Sequence, residues 1–295
     1  MKSFITKDNL CAVVTWYNPT AAIAQNIRQY AGHVRYVFVV DNSDINHRIL
    51  LDTLGLTNAL YHFIGENKGI AAALNIGFKY ADSYQMEWAL TMDQDSIFEG
   101  NRFAEYLTEV NDYTDYTGVG IFSVKHDFGQ MNTEQKLAGS RYCEKKRVMC
   151  SGNLIALNAY RKAGPYREDF FMDWIDFEFC ARVKAAGYRI VECTHILLKH
   201  FLGDRIMQVK RFGSTKYIPD YPVWRKYYLV RNILRTAKAH KALRNSMHWR
   251  LFQEFQQVLW YDSSPKKWKK LWAMCTAVRH ARKPIIVTDI QQKYL

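Results

Sequence analysis

Within the first hundred residues, four short apolar runs rich in β-branched and aromatic side chains stand at 10–15, 34–40, 60–64 and 88–92, and helical periodicity fills the gaps between them. Strands that alternate with helices cannot pair as hairpins. Each returns over a helix, and that lays the strands parallel in one sheet. Thr20 after Pro19 opens the first helix, with Ile23 and Ile27 on one face, and residues 45–54 and 70–80 form the next two. The expected architecture is α/β, a mainly parallel, doubly wound sheet with helices on both faces. Runs at 119–124, 150–157, 188–193 and 195–199 add strands, and 173–186 adds a helix closed by Gly187. Residues 126–147 are polar and aperiodic and read as a loop or irregular hairpin. From residue 221 the pattern is helical, interrupted at Ser263-Ser264-Pro265.

Open α/β sheets bind ligands outside the carboxyl ends of their strands, so polar residues directly after an apolar run carry the most information. Asp41-Asn42-Ser43 follows the second run and Asp93-Gln94-Asp95 the fourth. Two carboxylates one residue apart repel unless a cation lies between them, and hard oxygen ligands suit Mg²⁺ or Mn²⁺ on a phosphorylated substrate. A solvated turn fits the triplet equally well on its own. Asn67-Lys68-Gly69 precedes an alanine-rich helix start, where backbone N–H groups can approach an anion, or where the helix simply packs on the sheet. Asp173, Asp176 and Glu178 stand among five aromatic residues between 170 and 179. Carboxylates in such company must reach solvent, a metal or a substrate. Asp173 suits a helix N-cap; Asp176 lies too deep in the first turn to cap and is the candidate general base. His200 ends a strand, either as a hydrogen-bonded structural residue or as a ligand.

Taken together, Val40 to Ser43, Asn67 to Gly69, Asp93-Gln94-Asp95-Ser96, Ser151-Gly152-Asn153, the segment from Phe171 to Glu178, His200 and the run from Tyr227 to Asn232 resemble the family 2 glycosyltransferases of GT-A fold. The D-Q-D-S form, with Tyr227-Tyr228 before Arg231-Asn232, resembles their rhamnosyltransferase-like bacterial branch. The resemblance implies an inverting, metal-dependent transfer of a sugar, with L-rhamnose from dTDP-rhamnose as the preferred donor and a UDP-hexose as its alternative. The acceptor would be a hydroxyl of a lipid-linked or polysaccharide glycan, with a polyprenyl-diphosphate carrier, in cell-surface polysaccharide synthesis such as O-antigen assembly. Asp176 would be the catalytic base. Tyr17, Asp41, Asn67, Lys68, Gly69, Asp93, Gly152 and Arg231 would hold the nucleotide-sugar, Arg231 at its phosphates. Asp95, His200 and Asp93 would hold Mn²⁺ or Mg²⁺. Ile175 stands where the family pattern has Glu, which leaves the acceptor contacts undefined. A nucleotidyltransferase would share the acidic site, but it would carry a Gly-rich, Arg-containing loop where this chain has Trp16-Tyr17-Asn18-Pro19. A non-catalytic sugar-binding module would have no use for a base at 176.

The chain carries 41 basic and 28 acidic residues, and the excess is confined to one end: from residue 205 onward 20 are basic and 4 acidic, a net +16. The division predicted is a GT-A nucleotide-sugar-binding and catalytic domain at 1–204 and a basic, mostly helical region at 205–295 that faces acceptor or membrane. After Pro265, Trp268, Leu271, Trp272 and Cys275 recur at helical spacing between lysines. That composition suits a helix lying on an anionic membrane surface, or one packed on the protein with a solvated basic face. No nucleic-acid-binding motif accompanies the charge. No stretch approaches the roughly 18 apolar residues of a membrane span. Early charges at Lys2, Lys7 and Asp8 argue against a secretory leader, so the expected location is cytoplasmic, peripheral on the inner face of the membrane. Cys11, Cys143, Cys150, Cys180, Cys193 and Cys275 form no C-x-x-C pair and read as reduced structural thiols.

Overall fold

The computed structural model describes residues 4–128, 139–200, 206–211 and 214–283, with side chains described outside 206–219. Strands run in the order β1 Leu10–Trp16, β2 Tyr36–Asp41, β3 Ala59–Phe63, β4 Trp88–Asp93, β5 Val119–Asp127, β6 Tyr142–Glu144, β7 Asn153–Ala156, β8 Arg189–Lys199, β9 Ile206–Arg211 and β10 Ser214–Pro219. Helices are α1 Ala21–Ala24, α2 Arg28–Ala31, α3 Arg48–Asp52, α4 Ile70–Ser83, α5 Arg102–Asp112, α6 Leu157–Ala163, α7 Ile175–Ala185, α8 Val223–Ala239, α9 Arg244–Tyr261 and α10 Lys267–His280. The chain forms two compact units. One comprises Met1–Tyr166 with Phe179–Phe201, and the other Arg167–Glu178 with Leu202–Leu295.

The first unit is built on an eight-stranded sheet in the order β3-β2-β1-β4-β7-β5-β8-β6. Pairings of β1 with β2 and β4, of β2 with β3 and of β5 with β8 are parallel, whereas β7 and β6 run against their neighbours. The expected mainly parallel α/β sheet is thus present. β1 is buried along its whole length, as a strand covered on both faces must be, and that is why it reads as an unbroken apolar run. Thr20 caps α1 by accepting the Ile23 N–H, and Ile27 and Tyr30 are buried in the core behind it. Parallel strands bring their carboxyl ends to one edge: Trp16, Asp41, Asp93, Asp127 and Lys199 all end there. Because β7 is antiparallel, Ser151 and Gly152 enter it from the same edge.

One sequence expectation needs correction. Residues 188–193 and 195–199 are one strand, β8, with a register shift: Val124 pairs with Cys193, and the next residue, Lys125, with Leu197. Thr194 in that bulge is held by Arg141 and Ser140, so the break in apolar pattern is a local detour of a continuous strand. The region 126–147, expected as a loop or irregular hairpin, holds the short strand β6 in its described part, antiparallel to β8; residues 129–138 lie outside the described residues.

In the second unit, α8, α9 and α10 share a core of Tyr227, Tyr228, Val230, Val258, Met274 and Ala277, onto which Phe171 packs. Trp174 joins Leu229, Ile233 and Met247 in an adjacent cluster. β9 and β10 form an antiparallel hairpin in this unit, ahead of residue 221, from which the pattern is helical.

Candidate active site

At the carboxyl edge of β4, the ligand atoms of Asp93, Asp95 and His200 lie within 4.8 Å of one another. Trans ligands on a six-coordinate ion with bonds of ~2.1 Å stand roughly 4.2 Å apart, so modest side-chain rotation closes the set on a cation. Two carboxylates and an imidazole are the donor chemistry that Mn²⁺ and Mg²⁺ accept. His200 reaches this point through chain pairing: Ile97 and Lys199 exchange backbone hydrogen bonds of 2.9 and 3.0 Å, tying the segment after Asp95 to the end of β8. A polar chain then orients the ligands. The Asp93 N–H donates to Ser151 Oγ (3.0 Å), Ser151 Oγ bonds Ser96 Oγ (2.7 Å), and Ser96 Oγ bonds His200 Nδ1 (2.8 Å). Nδ1, the nitrogen that Ser96 engages, is also the one that stands 3.9 Å from Asp95 Oδ1, so Ser96 sets the ring beside the acidic pair.

Gly152 fixes the loop that carries Ser151. Its φ is 80°, and a Cβ there would stand 2.6 Å from Val124 and 2.8 Å from Leu198, so only glycine fits. His126 sits below, its Nε2 2.9 Å from the Ser151 carbonyl oxygen. Burial, reinforced by neighbouring His200, lowers its pKa to about 4, which keeps it neutral near pH 7. His126 was absent from the sequence reading, although its place just past an apolar run was a usable signal.

The middle residue of the triplet has its own task. Gln94 Oε1 accepts the Tyr17 N–H (2.8 Å), and its Nε2 donates to the Tyr17 carbonyl (3.1 Å), while Asn26 donates to the Gln94 carbonyl (2.9 Å). Tyr17, 47% exposed, is thereby fastened beside the acidic pair at the end of β1.

At the end of β2, Asp41 is fully buried. Its carboxylate accepts from Ser43 N–H and Oγ, from the His47 N–H, and from the Tyr61 hydroxyl, with His47 Nδ1 at 3.0 Å. Burial, then the adjoining Asp41 charge, pushes the Tyr61 hydroxyl pKa up, so it stays a donor. Asp41 therefore organises the loop after β2. Neighbouring Asn42 links that loop to the next, donating to Asn67 Oδ1 (2.9 Å) and accepting the Lys68 N–H (2.8 Å). Asn67 also accepts the Gly69 N–H at 3.0 Å, and Gly69, with φ 84°, starts α4. The Lys68 ammonium is exposed and 3.1 Å from Glu66.

The second unit holds Asp176 and Arg231. The helix expected from residue 173 begins at Ile175, because Phe171, Asp173 and Trp174 have positive φ of 61°, 55° and 68°. Three such non-glycine residues persist only where surroundings hold them. Asn232 supplies the hold: its amide donates to the carbonyls of Phe170, Met172 and Asp173 at 2.8–3.0 Å. Arg231, expected at phosphate, is fully buried, donates to the Asp169 and Phe170 carbonyls, and lies 4.7 Å over the Tyr228 ring. Asp173, placed by sequence as a cap, instead forms a two-pronged pair with Arg225. Asp176 follows on the first turn of α7, half-buried, accepting the Phe177 N–H at 2.8 Å.

A cleft of about 830 Å³ lined by Met86, Trp88, Val119, Ala156 and Arg161 lies at the opposite edge, where β4 and β5 begin. Its acids are engaged by protein, Asp82 by Arg161 and Glu87 by Asn9.

Fold and site together define a GT-A glycosyltransferase that uses a nucleotide-sugar donor. Residues 11–174 match the profile of Glycosyl transferase family 2, and the chain belongs to that family. It is 27% identical over 241 residues to dTDP-rhamnosyl transferase RfbF of Shigella flexneri, covering 76% of this chain and 78% of that one. Among solved structures it resembles TarS 1-349 of S. aureus in complex with UDP-GlcNAc, with TM-score 0.61, 13% identity and coverage of 93% and 82%. It also resembles the mannosyltransferase PcManGT from Pyrobaculum calidifontis in complex with GDP-Man and Mn²⁺, with TM-score 0.55, 14% identity and coverage of 96% and 79%. At such identities these two likenesses speak to fold alone. No helix among the described residues is long and apolar enough to cross a membrane.

Proposed function

We propose that this chain transfers L-rhamnose from dTDP-rhamnose, with inversion, to a hydroxyl of a lipid-linked or polysaccharide glycan. The observation that carries the reaction class is the convergence of Asp93, Asp95 and His200 at the end of β4. Support for rhamnose comes from the 27% identical relative RfbF, whose name gives that donor. Asp95 and His200, with Asp93, would hold Mn²⁺ or Mg²⁺, which when bound would neutralise charge on the leaving diphosphate. Tyr17, Asn67, Lys68, Gly69 and Gly152 border the donor in this reading, with Asp41 shaping the loop after β2 and Arg231 bracing the turn before α7. Asp176 takes the acceptor proton as that oxygen attacks the anomeric carbon. No covalent enzyme intermediate is needed for a single displacement. Residues 1–204 would serve donor and catalysis, and 205–295 the acceptor side at the inner face of the membrane.

A thermal-shift series of dTDP-rhamnose, UDP-hexoses and GDP-mannose, each with and without Mn²⁺, tests the donor. A shift selective for dTDP-rhamnose and strengthened by Mn²⁺ is expected. Selectivity for a UDP-hexose would replace the sugar but keep the reaction, and no shift with any donor would sink both.

A further inference from the structure

Helices α9 and α10 each carry two apolar faces, whereas a helix packed on a protein core needs one. α10 buries Lys270, Ala273, Met274 and Ala277 against the second unit's core, and α9 buries Met247, Glu254 and Val258. Their other faces carry large apolar side chains that are exposed. On α9, Trp249 and Phe252 are 62% and 54% exposed, their rings stacked at 5.5 Å, and Leu259 and Trp260 continue the same face. On α10, Trp268 and Trp272 are 73% and 56% exposed. Of the stripe read from the sequence, Trp268, Trp272 and Cys275 face outward, whereas Leu271 packs on the core. The two faces meet where the helices join: the Lys267 ammonium donates to the Leu259 carbonyl (2.7 Å) and sits 5.9 Å from the Trp268 ring centre.

Among the described residues, the exposed charge around this apolar surface has one sign. Asp220 and Asp262 are both drawn to buried Lys270, and Glu254 is buried between Lys226 and Arg250. Exposed Lys241, Arg244, Lys266, Lys269, Arg279 and Arg282 remain. Tryptophans at a helix surface among lysines, with acids withdrawn inward, match the headgroup layer of an anionic bilayer, where rings sit at the acyl boundary and each lysine adds attraction.

We infer that the α9–α10 face is a docking surface for anionic phospholipid, with Trp249, Phe252, Trp268 and Trp272 entering the headgroup layer and Lys266 and Lys269 meeting lipid phosphate. This inference does not depend on the sugar transferred. The test is co-sedimentation of the full chain with phosphatidylcholine vesicles that contain or lack phosphatidylglycerol, at physiological salt, with tryptophan emission recorded. Binding with a blue shift is expected only where phosphatidylglycerol is present. Trp249→Ser combined with Trp268→Ser should lower partitioning more than tenfold, and Lys266→Gln with Lys269→Gln about 25-fold, at roughly fivefold per lysine. Both variants alter exposed side chains and should keep the wild-type melting temperature. Absent binding to the anionic vesicles, or undiminished binding by both variants, overturns the assignment. So does a tryptophan face buried by self-association, or one that binds an RNA or DNA duplex while ignoring vesicles.

Discussion

Asp95 of the sheet unit and the paired acids of the helical unit are held in opposite ways. In the sheet unit, Asp95 is 39% exposed at a strand end beside His200, whose imidazole is tied at one nitrogen to Ser96. In the helical unit, Asp169 pairs with Arg167 and Arg235, Asp173 with Arg225, and Asp262 with Lys270. Both Asp169 and Asp262 titrate below the usual carboxylate range; burial opposes this, but the attached Arg167 and Lys270 outweigh it. The first arrangement would keep coordinating capacity for something that is not protein, whereas the second spends its charges on holding backbone in place.

Substitutions can break this contrast. Asp176→Asn should cut transfer by about 10³-fold while donor affinity stays, since a positioned base contributes on the order of 10²–10⁴; single-turnover transfer beside calorimetric donor titration measures both, and an active variant removes the residue from that role. Asp95→Ala should weaken metal-dependent donor binding on the order of 100-fold without lowering the melting temperature, because its side chain supports ligand rather than fold. Nucleotide affinity unchanged by EDTA in wild type and variant alike would erase the contrast from the sheet side. Asn232→Ala should do the reverse: loss of the amide donors to Met172 and Asp173, and of one of the donors to Phe170, costs about 2–3 kcal/mol of stability, seen in denaturant unfolding, with donor affinity intact. Gly152→Ala tests backbone constraint within the sheet unit and should cost about 1–3 kcal/mol through positive φ and the clash with Val124. Smallest is Gln94→Ala, which releases Tyr17 and should raise donor KM several-fold, about 1 kcal/mol, at nearly constant melting temperature.

Much of the sheet was legible because buried strands must be apolar: β1 to β5 fall within a few residues of their runs. Burial of β1 and β4 follows directly from the side chains a doubly covered strand requires. The acidic triplet and His200 were legible for a related reason, as polar residues where a buried strand surfaces. The left-handed residues before α7 were not. Phe171 and Trp174 carry no local preference for that conformation and Asp173 only a weak one, and Asn232 imposes it from 58 or more residues away in sequence. The bulge in β8 escaped for a similar reason, since its support comes from residues 140 and 141 on another segment. Arg231 and Asp41 show the limit of reading roles by type: both are charged and suited to a ligand, yet each is buried and engaged by its neighbours.

The brace on the turn before α7 also sets an order in time. Asp169 to Asp173 leave the ribosome well before Arg231 and Asn232, some sixty residues later. Through that interval of synthesis, the strained turn has none of the amide and guanidinium donors that hold it. The sheet of the first unit, complete by Lys199, can close while the segment carrying Asp176 is still unshaped. Competence for transfer would then be acquired late and at one step, when α8 folds onto a stretch of chain already made.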